Sequence, residues 1–146
     1  MKQGPVSPWN KRSDLVPPPK CLAPSVWHHR SDCNFLDAVE RILDMGAKSV
    51  VLSLGSRGAI GGIRTDEGVR VWEAIPPRID ALSPIGAGDA LAAVFVWARK
   101  KKKEFWEAVR WGVAAGSASA QLPGLQLANL EQAKQIYKLV EVRPVK

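Results

Sequence analysis

Ser83-Pro84-Ile85-Gly86-Ala87-Gly88-Asp89-Ala90 is the stretch on which the reading of this chain turns. Its two glycines, Gly86 and Gly88, let the backbone turn tightly and approach a ligand closely. The apolar run Ala90 to Ala98 that follows reads as a helix opened by those glycines. A helix start points unpaired N–H groups and a positive dipole end forward, which makes it a ready anion site. Asp89, in that first turn, stays ionised beside the bound anion. A carboxylate next to an anion hole suits transfer of a phosphoryl group to an alcohol: the carboxylate takes the hydroxyl proton while the amides hold the phosphoryl oxygens. Alone, the tetrapeptide Gly86 to Asp89 is a weak signal that reads first as an ordinary helix start, so the rest of the chain must decide.

Downstream, the helix from Gly88 to about Lys100 is apolar nearly all round (Leu91, Val94, Phe95, Val96, Trp97, Ala98), which predicts burial in a layered domain. A second helix, about Glu104 to Ala120, carries Gly112 and Gly116, whose small size four residues apart admits another backbone or a flat ligand. Leu122-Pro123-Gly124 ends it. Asn129 with Gln132 forms a capping-box pattern for a last helix, with Leu130, Ala133, Ile136 and Tyr137 facing inward.

Upstream, Phe35, Ala38, Val39, Ile42 and Leu43 recur at helical spacing, with Asn34 as N-cap and Gly46 as stop. Ser49 to Leu54 is a short apolar run that reads as a buried parallel strand, ending in the glycine turn Gly55-Ser56-Arg57-Gly58. Ala59 to Ile63 and Val69 to Ala74 predict a hairpin across Thr65 to Gly68. Residues 1–34 hold six of the 11 prolines and no period of 2 or 3.6, so they read as an irregular segment, and 35–146 as the patterned part. Helix, strand, hairpin and three helices fit part of a three-layer α/β fold.

Composition bounds the function classes. The 146 residues are 46% hydrophobic and 24% charged, at globular averages, and suffice for one domain with a core. The apolar run Ala90 to Ala98 is too short to cross a bilayer. Cys21 and Cys33 build neither a disulfide framework nor a metal spacing, which makes a reducing, cytoplasmic setting the expectation. His28-His29 lack partner ligands, and no metal-binding residues are assigned. The net charge of +7 favours anionic partners without choosing among them. Arg99 to Lys103 reads first as cations gathered at a helix C-terminus; a basic RNA- or DNA-binding protein using that run is the weaker alternative, so nucleic acid is not the expected partner. Trp97, Trp106 and Trp111 read as core or interface residues. A P-loop, a dinucleotide fingerprint (Leu91 stands where its third glycine belongs) and a Gly-x-Ser-x-Gly elbow are all absent from the sequence.

Three motifs in order carry a family resemblance: Ser53 to Ala59, Ser83 to Ala90, and Val109 to Ala118 closed by Leu122-Pro123-Gly124. Across about residues 36–142 the chain resembles the C-terminal part of the ribokinase-like, PfkB-type carbohydrate kinases. The Ser83-Pro84-Ile85 lead-in is most similar to the 1-phosphofructokinase and tagatose-6-phosphate kinase branch. The resemblance implies ATP with Mg2+, and a sugar or sugar-phosphate acceptor. It implies Ser53, Gly55 and Gly58 on the phosphate and ribose side of the nucleotide. Gly86, Ala87 and Gly88 would form the anion hole, Asp89 would be the catalytic base, and the helix from Ala115 to Ser119 would leave room for the adenine.

The chain departs from that family in three ways. It is about half the usual family length, the upstream Asn-x-x-Glu element that organises magnesium is missing, and Ser83 stands where many sugar kinases carry an aspartate near a monovalent-cation site. The expectation is therefore a truncated kinase, paired with a second copy or a complementary N-terminal half. The alternative is a non-catalytic remnant that binds nucleotide or a partner.

Overall fold

The computed structural model describes residues 35–146. Asn34 as a cap, Cys21, Cys33, His28, His29 and the irregular segment 1–34 lie outside the described residues. Helix α1 (Phe35–Asp44) forms as the 3.6-residue period predicts, and turns its buried stripe of Ala38, Val39 and Leu43 inward. Gly46 ends it at φ 103°, donating its N–H to the Leu43 carbonyl.

Strands β1 (Ser49–Ser53), β2 (Ala59–Thr65), β3 (Gly68–Ile75) and β4 (Glu141–Pro144) form one sheet in the order β1-β2-β3-β4, every pair antiparallel. The parallel reading of Ser49 to Leu54 is thereby corrected: β1 pairs antiparallel with β2, Val51 opposite Gly61, and is only half-buried at its centre. An apolar run reports burial on both faces, not the direction of the neighbouring strand. The predicted hairpin is present, closed by the Thr65–Gly68 pair around Asp66-Glu67. Strand β4 was not foreseen, because Val142 is its one apolar residue with a period too short to register.

Two adjacent glycines in β2 explain how helices cover both faces of this sheet. A Cβ on Gly61 would lie 2.7 Å from Val109 Cγ2, and one on Gly62 would lie 2.4 Å from Val39 Cγ1. Successive strand residues point to opposite faces, so Gly61 admits helix α3 (Phe105–Ala120) on one side while Gly62 admits α1 on the other. The layer between the sheet and α3 is built from Ala59, Ala74, Phe105, Val109, Val113 and Ala118. The opposite layer is Val39, Leu43, Ile60 and Val71. The three-layer α/β expectation is met.

Helix α2 (Ala87–Lys100) packs on the outer side of α3, and helix α4 (Leu130–Tyr137) packs on α3 as well. Only Ala90 and Ala98 of α2 are buried; Val96 and Trp97 are exposed. The expectation of all-round burial is corrected, since α2 meets α3 along one face and has no other extensive helix or strand contact among the described residues. Helix α4 carries the full capping box, Asn129 and Gln132 each accepting the other's backbone N–H. Ala133 and Ile136 face inward as predicted, but Leu130, the first residue of α4, is exposed.

Candidate active site

Gly86 caps α2 in the left-handed conformation, φ 82°, with no side-chain cap. Its carbonyl accepts the Ala90 N–H at 2.9 Å, and the Ala87 N–H donates to the Pro84 carbonyl at 3.2 Å. Among the described residues no partner is recorded for the N–H groups of Gly88 and Asp89, the orphan donors of a helix start. The Asp89 side chain is exposed and makes no recorded ion pair or hydrogen bond. An ionised side chain in the first turn is favourably placed against the helix dipole.

The turn is held from one side by α3. The Leu82 and Ser83 N–H groups both donate to the Ala120 carbonyl, at 2.8 and 3.1 Å, and Ser83 is buried with its hydroxyl accepting the Ile85 N–H. A Cβ on Gly116 would stand 2.8 Å from the Ala87 carbonyl oxygen, and one on Gly112 2.9 Å from that of Leu91. Of the two uses read for these small residues, the structure shows the first: they admit the backbone of α2. Close packing on α3 therefore fixes the position of the Gly86 to Asp89 turn.

Ala115 and Ser119 are both buried in α3. Ser119 Oγ accepts the Ala128 N–H at 3.0 Å, which ties down the loop between α3 and α4. That loop brings Leu127 against the cap, with its Cδ2 3.3 Å from a Cβ built on Gly86. Gly86, Ala87, Gly88 and Asp89 thus share one corner with Gly116 and Leu127. Leu127 was not identified from the sequence, because an isolated leucine in a loop carries no periodic signal.

The second glycine turn lies at the β1–β2 junction. Ser53 ends β1 exposed, Gly55 and Gly58 adopt φ 62° and 95°, and the Leu54 N–H donates to the Gly58 carbonyl at 2.7 Å. Gly58 is demanded by structure: a Cβ there would fall 2.0 Å from the Ala74 carbonyl oxygen. Gly55 meets nothing within 4 Å, so only its positive φ selects glycine. Among the described residues no hydrogen bond joins this turn to the start of α2.

A magnesium ion would need oxygen donors such as carboxylates, often shared with substrate phosphates. No group of three or more His, Cys, Asp or Glu residues lies together among the described residues. Residues 35–146 thus do not build a magnesium cage, and no chemical step is assigned to the ion.

In this layered α/β unit the start of α2 combines a left-handed glycine cap, open amides and a first-turn carboxylate, and helix starts with open amides suit anions in general. Residues 26–133 match the family described as "pfkB family carbohydrate kinase". The chain is 35% identical over 101 residues to the ATP-dependent 6-phosphofructokinase isozyme 2 of Escherichia coli strain K12, covering 68% of this chain and 31% of that protein. It is also 35% identical over 83 residues to a 1-phosphofructokinase of Borreliella burgdorferi, covering 56% and 25%. Phosphofructokinase-2 from Escherichia coli, solved in complex with substrates and products, superposes with a TM-score of 0.64 at 33% identity, over 71% of this chain and 33% of that one. The chain belongs to the pfkB family of carbohydrate kinases. It spans about a third or less of the length of these relatives. No helix among the described residues is long and apolar enough to cross a membrane.

Proposed function

We propose that this chain supplies the phosphoryl-transfer corner of an ATP-dependent sugar-phosphate kinase. The observation that carries the reading is the start of α2, where unpartnered Gly88 and Asp89 amides follow a left-handed glycine and an unpaired carboxylate sits in the same turn. The N–H groups of that turn hold the oxygens of the transferring phosphoryl group, and they are already aimed before any substrate arrives. Asp89 accepts the proton of the acceptor hydroxyl as its oxygen attacks, and ADP leaves. Because Asp89 is exposed, the bound acceptor itself must cover it and exclude water. Ser53, Gly55 and Gly58 line the phosphate and ribose side of the nucleotide. Ala115 and Ser119 keep the adenine side narrow: Ala115 through its small side chain, Ser119 by holding the loop that carries Leu127.

The outer edge of β1 needs a neighbour that the described residues do not provide, which supports action with a second copy or with a complementary N-terminal half. The test is transfer of labelled phosphate from ATP to fructose 1-phosphate, fructose 6-phosphate or tagatose 6-phosphate. It is run on the full chain, alone and mixed with an N-terminal pfkB-family segment. Transfer that disappears in Asp89→Ala supports the proposal. ATP binding without transfer in either preparation leaves the chain as a nucleotide-binding remnant and refutes it.

A further inference from the structure

The turn that ends α2 lies at the far end of that helix from Gly86, and the 14-residue length of α2 sets the two roughly 20 Å apart. Its sequence, Arg99-Lys100-Lys101-Lys102-Lys103, has the bland explanation that cations suit a helix C-terminus. Three observations go beyond that explanation.

The first is where the charge resides. Residues 35–146 carry 16 Lys and Arg against 12 Asp and Glu, and the short segment 97–111 accounts for the whole excess with six against two. The remaining surface is balanced. The second is how the cations are spent. Arg99 donates to the Lys103 carbonyl at 2.6 Å and lies over the Phe105 ring, and Lys103 pairs with Glu107 at 2.9 Å. Lys100, Lys101 and Lys102 are exposed, and no ion pair is recorded for them among the described residues. Lys102 is moreover the only non-glycine residue described with a positive φ, 59°. It occupies the left-handed position of a helix-ending motif in which the Lys103 N–H reaches the Ala98 carbonyl, a position that ordinarily selects glycine. A lysine kept where glycine fits better places a cation at the cost of backbone strain.

The third observation is the aromatic row beside the turn. Trp97 lies one helical turn before Lys101, whose N–H it accepts through its carbonyl. The Trp97 ring meets Trp111 edge-to-face at 5.9 Å, and Trp111 stacks on Tyr137 at 4.2 Å. The Arg110 guanidinium lies 4.3 Å over Tyr137, and its buried Nε has no hydrogen-bond partner. Trp97 stays 39% exposed although it is held in place. Trp97 lies three and four residues before Lys100 and Lys101, so a braced, partly open indole shares the end of α2 with three lysines that make no recorded ion pair among the described residues, a combination that matches a strand offering phosphates and stackable bases at short intervals.

We infer that Trp97 with Lys100, Lys101 and Lys102 forms a docking surface for single-stranded nucleic acid, separate from the kinase corner and independent of it. An anionic membrane would use the same cations, but an indole braced against Trp111 is poorly placed to insert, so the strand is the better fit.

The test is fluorescence anisotropy of a labelled 20-nucleotide oligouridylate titrated with the full chain from 50 to 200 mM salt. Affinity should fall steeply with salt. A triple Lys100→Gln, Lys101→Gln, Lys102→Gln variant should lower the log–log slope by about 2, as loss of three contacts at about 0.7 each requires. Trp97→Ala should weaken binding about tenfold with the slope unchanged. Lys102→Gly separates docking from folding: it should raise the melting temperature while lowering affinity. Absence of binding at 50 mM salt would overturn the inference. So would a slope unchanged in the triple variant, or binding to phosphatidylserine vesicles with none to the oligonucleotide.

Discussion

Gly88→Ala separates an anion hole from an ordinary helix start. Gly88 lies in the first turn of α2, its φ is not positive, and a Cβ built there meets nothing within 4 Å. Nothing in the folded chain therefore demands glycine. Alanine in a helix is favoured over glycine by about 0.5–1 kcal/mol. For a unit of this size that gain corresponds to a rise in melting temperature of roughly 2–5 °C. If the bare backbone is there so that a phosphate can approach, the added methyl intrudes on the ligand instead. Overpacking of that kind costs about 1–3 kcal/mol, so ATP affinity should fall about fivefold or more. The assay pairs thermal unfolding followed by circular dichroism with isothermal titration of ATP. Higher stability with weaker nucleotide binding is the expected outcome. A variant that is less stable, or that binds ATP as well as its parent, would refute the anion-hole argument.

Gly58→Ala should have the opposite character, destabilising the chain by about 3 kcal/mol or more, because it combines a left-handed φ with a Cβ placed 2.0 Å from the Ala74 carbonyl oxygen; the urea midpoint reports it. Asp89→Ala should lower turnover of an active assembly about 10²–10⁴-fold while leaving ATP affinity nearly unchanged, read from initial rates and titration side by side. Asn129→Ala removes half of the capping box on α4 and should cost about 1 kcal/mol, seen as a lower melting temperature. Burial raises the Tyr137 phenol above its ordinary value, with Glu107 adding to the shift and Arg110 and Lys103 opposing it. Its contribution to stability is therefore complete below about pH 10 and is lost as the pH climbs through the raised value, since the unfolded chain releases that proton first. Tyr137→Phe should flatten this alkaline decline in a pH series of unfolding curves.

Much of the site was legible in the chain because it depends on local chemistry. A tight glycine turn before α2, Asp89 in the first turn and the Asn129–Gln132 box are short-range facts, set by backbone freedom and side chains a few residues apart. The period of α1, the hairpin and the glycine turn at Gly55 to Gly58 belong to the same category. Two residues of the site surroundings were not readable: Leu127 reaches Gly86 only through the loop that Ser119 secures, and Ala120 holds the Leu82-Ser83 lead-in through its carbonyl.

The sequence by itself determined the helices, the strands other than β4, and where a helix start could meet an anion, since periodicity, capping and glycine placement act within a few residues. Tertiary structure alone decided that β1 runs antiparallel to β2, that β4 closes the far edge, and that Gly112 and Gly116 receive the α2 backbone. It also decided that α2, apolar nearly all round, buries only Ala90 and Ala98. Those outcomes depend on which surfaces meet across long stretches of chain, and hydrophobic pattern records how much a residue avoids water without naming the neighbour that covers it.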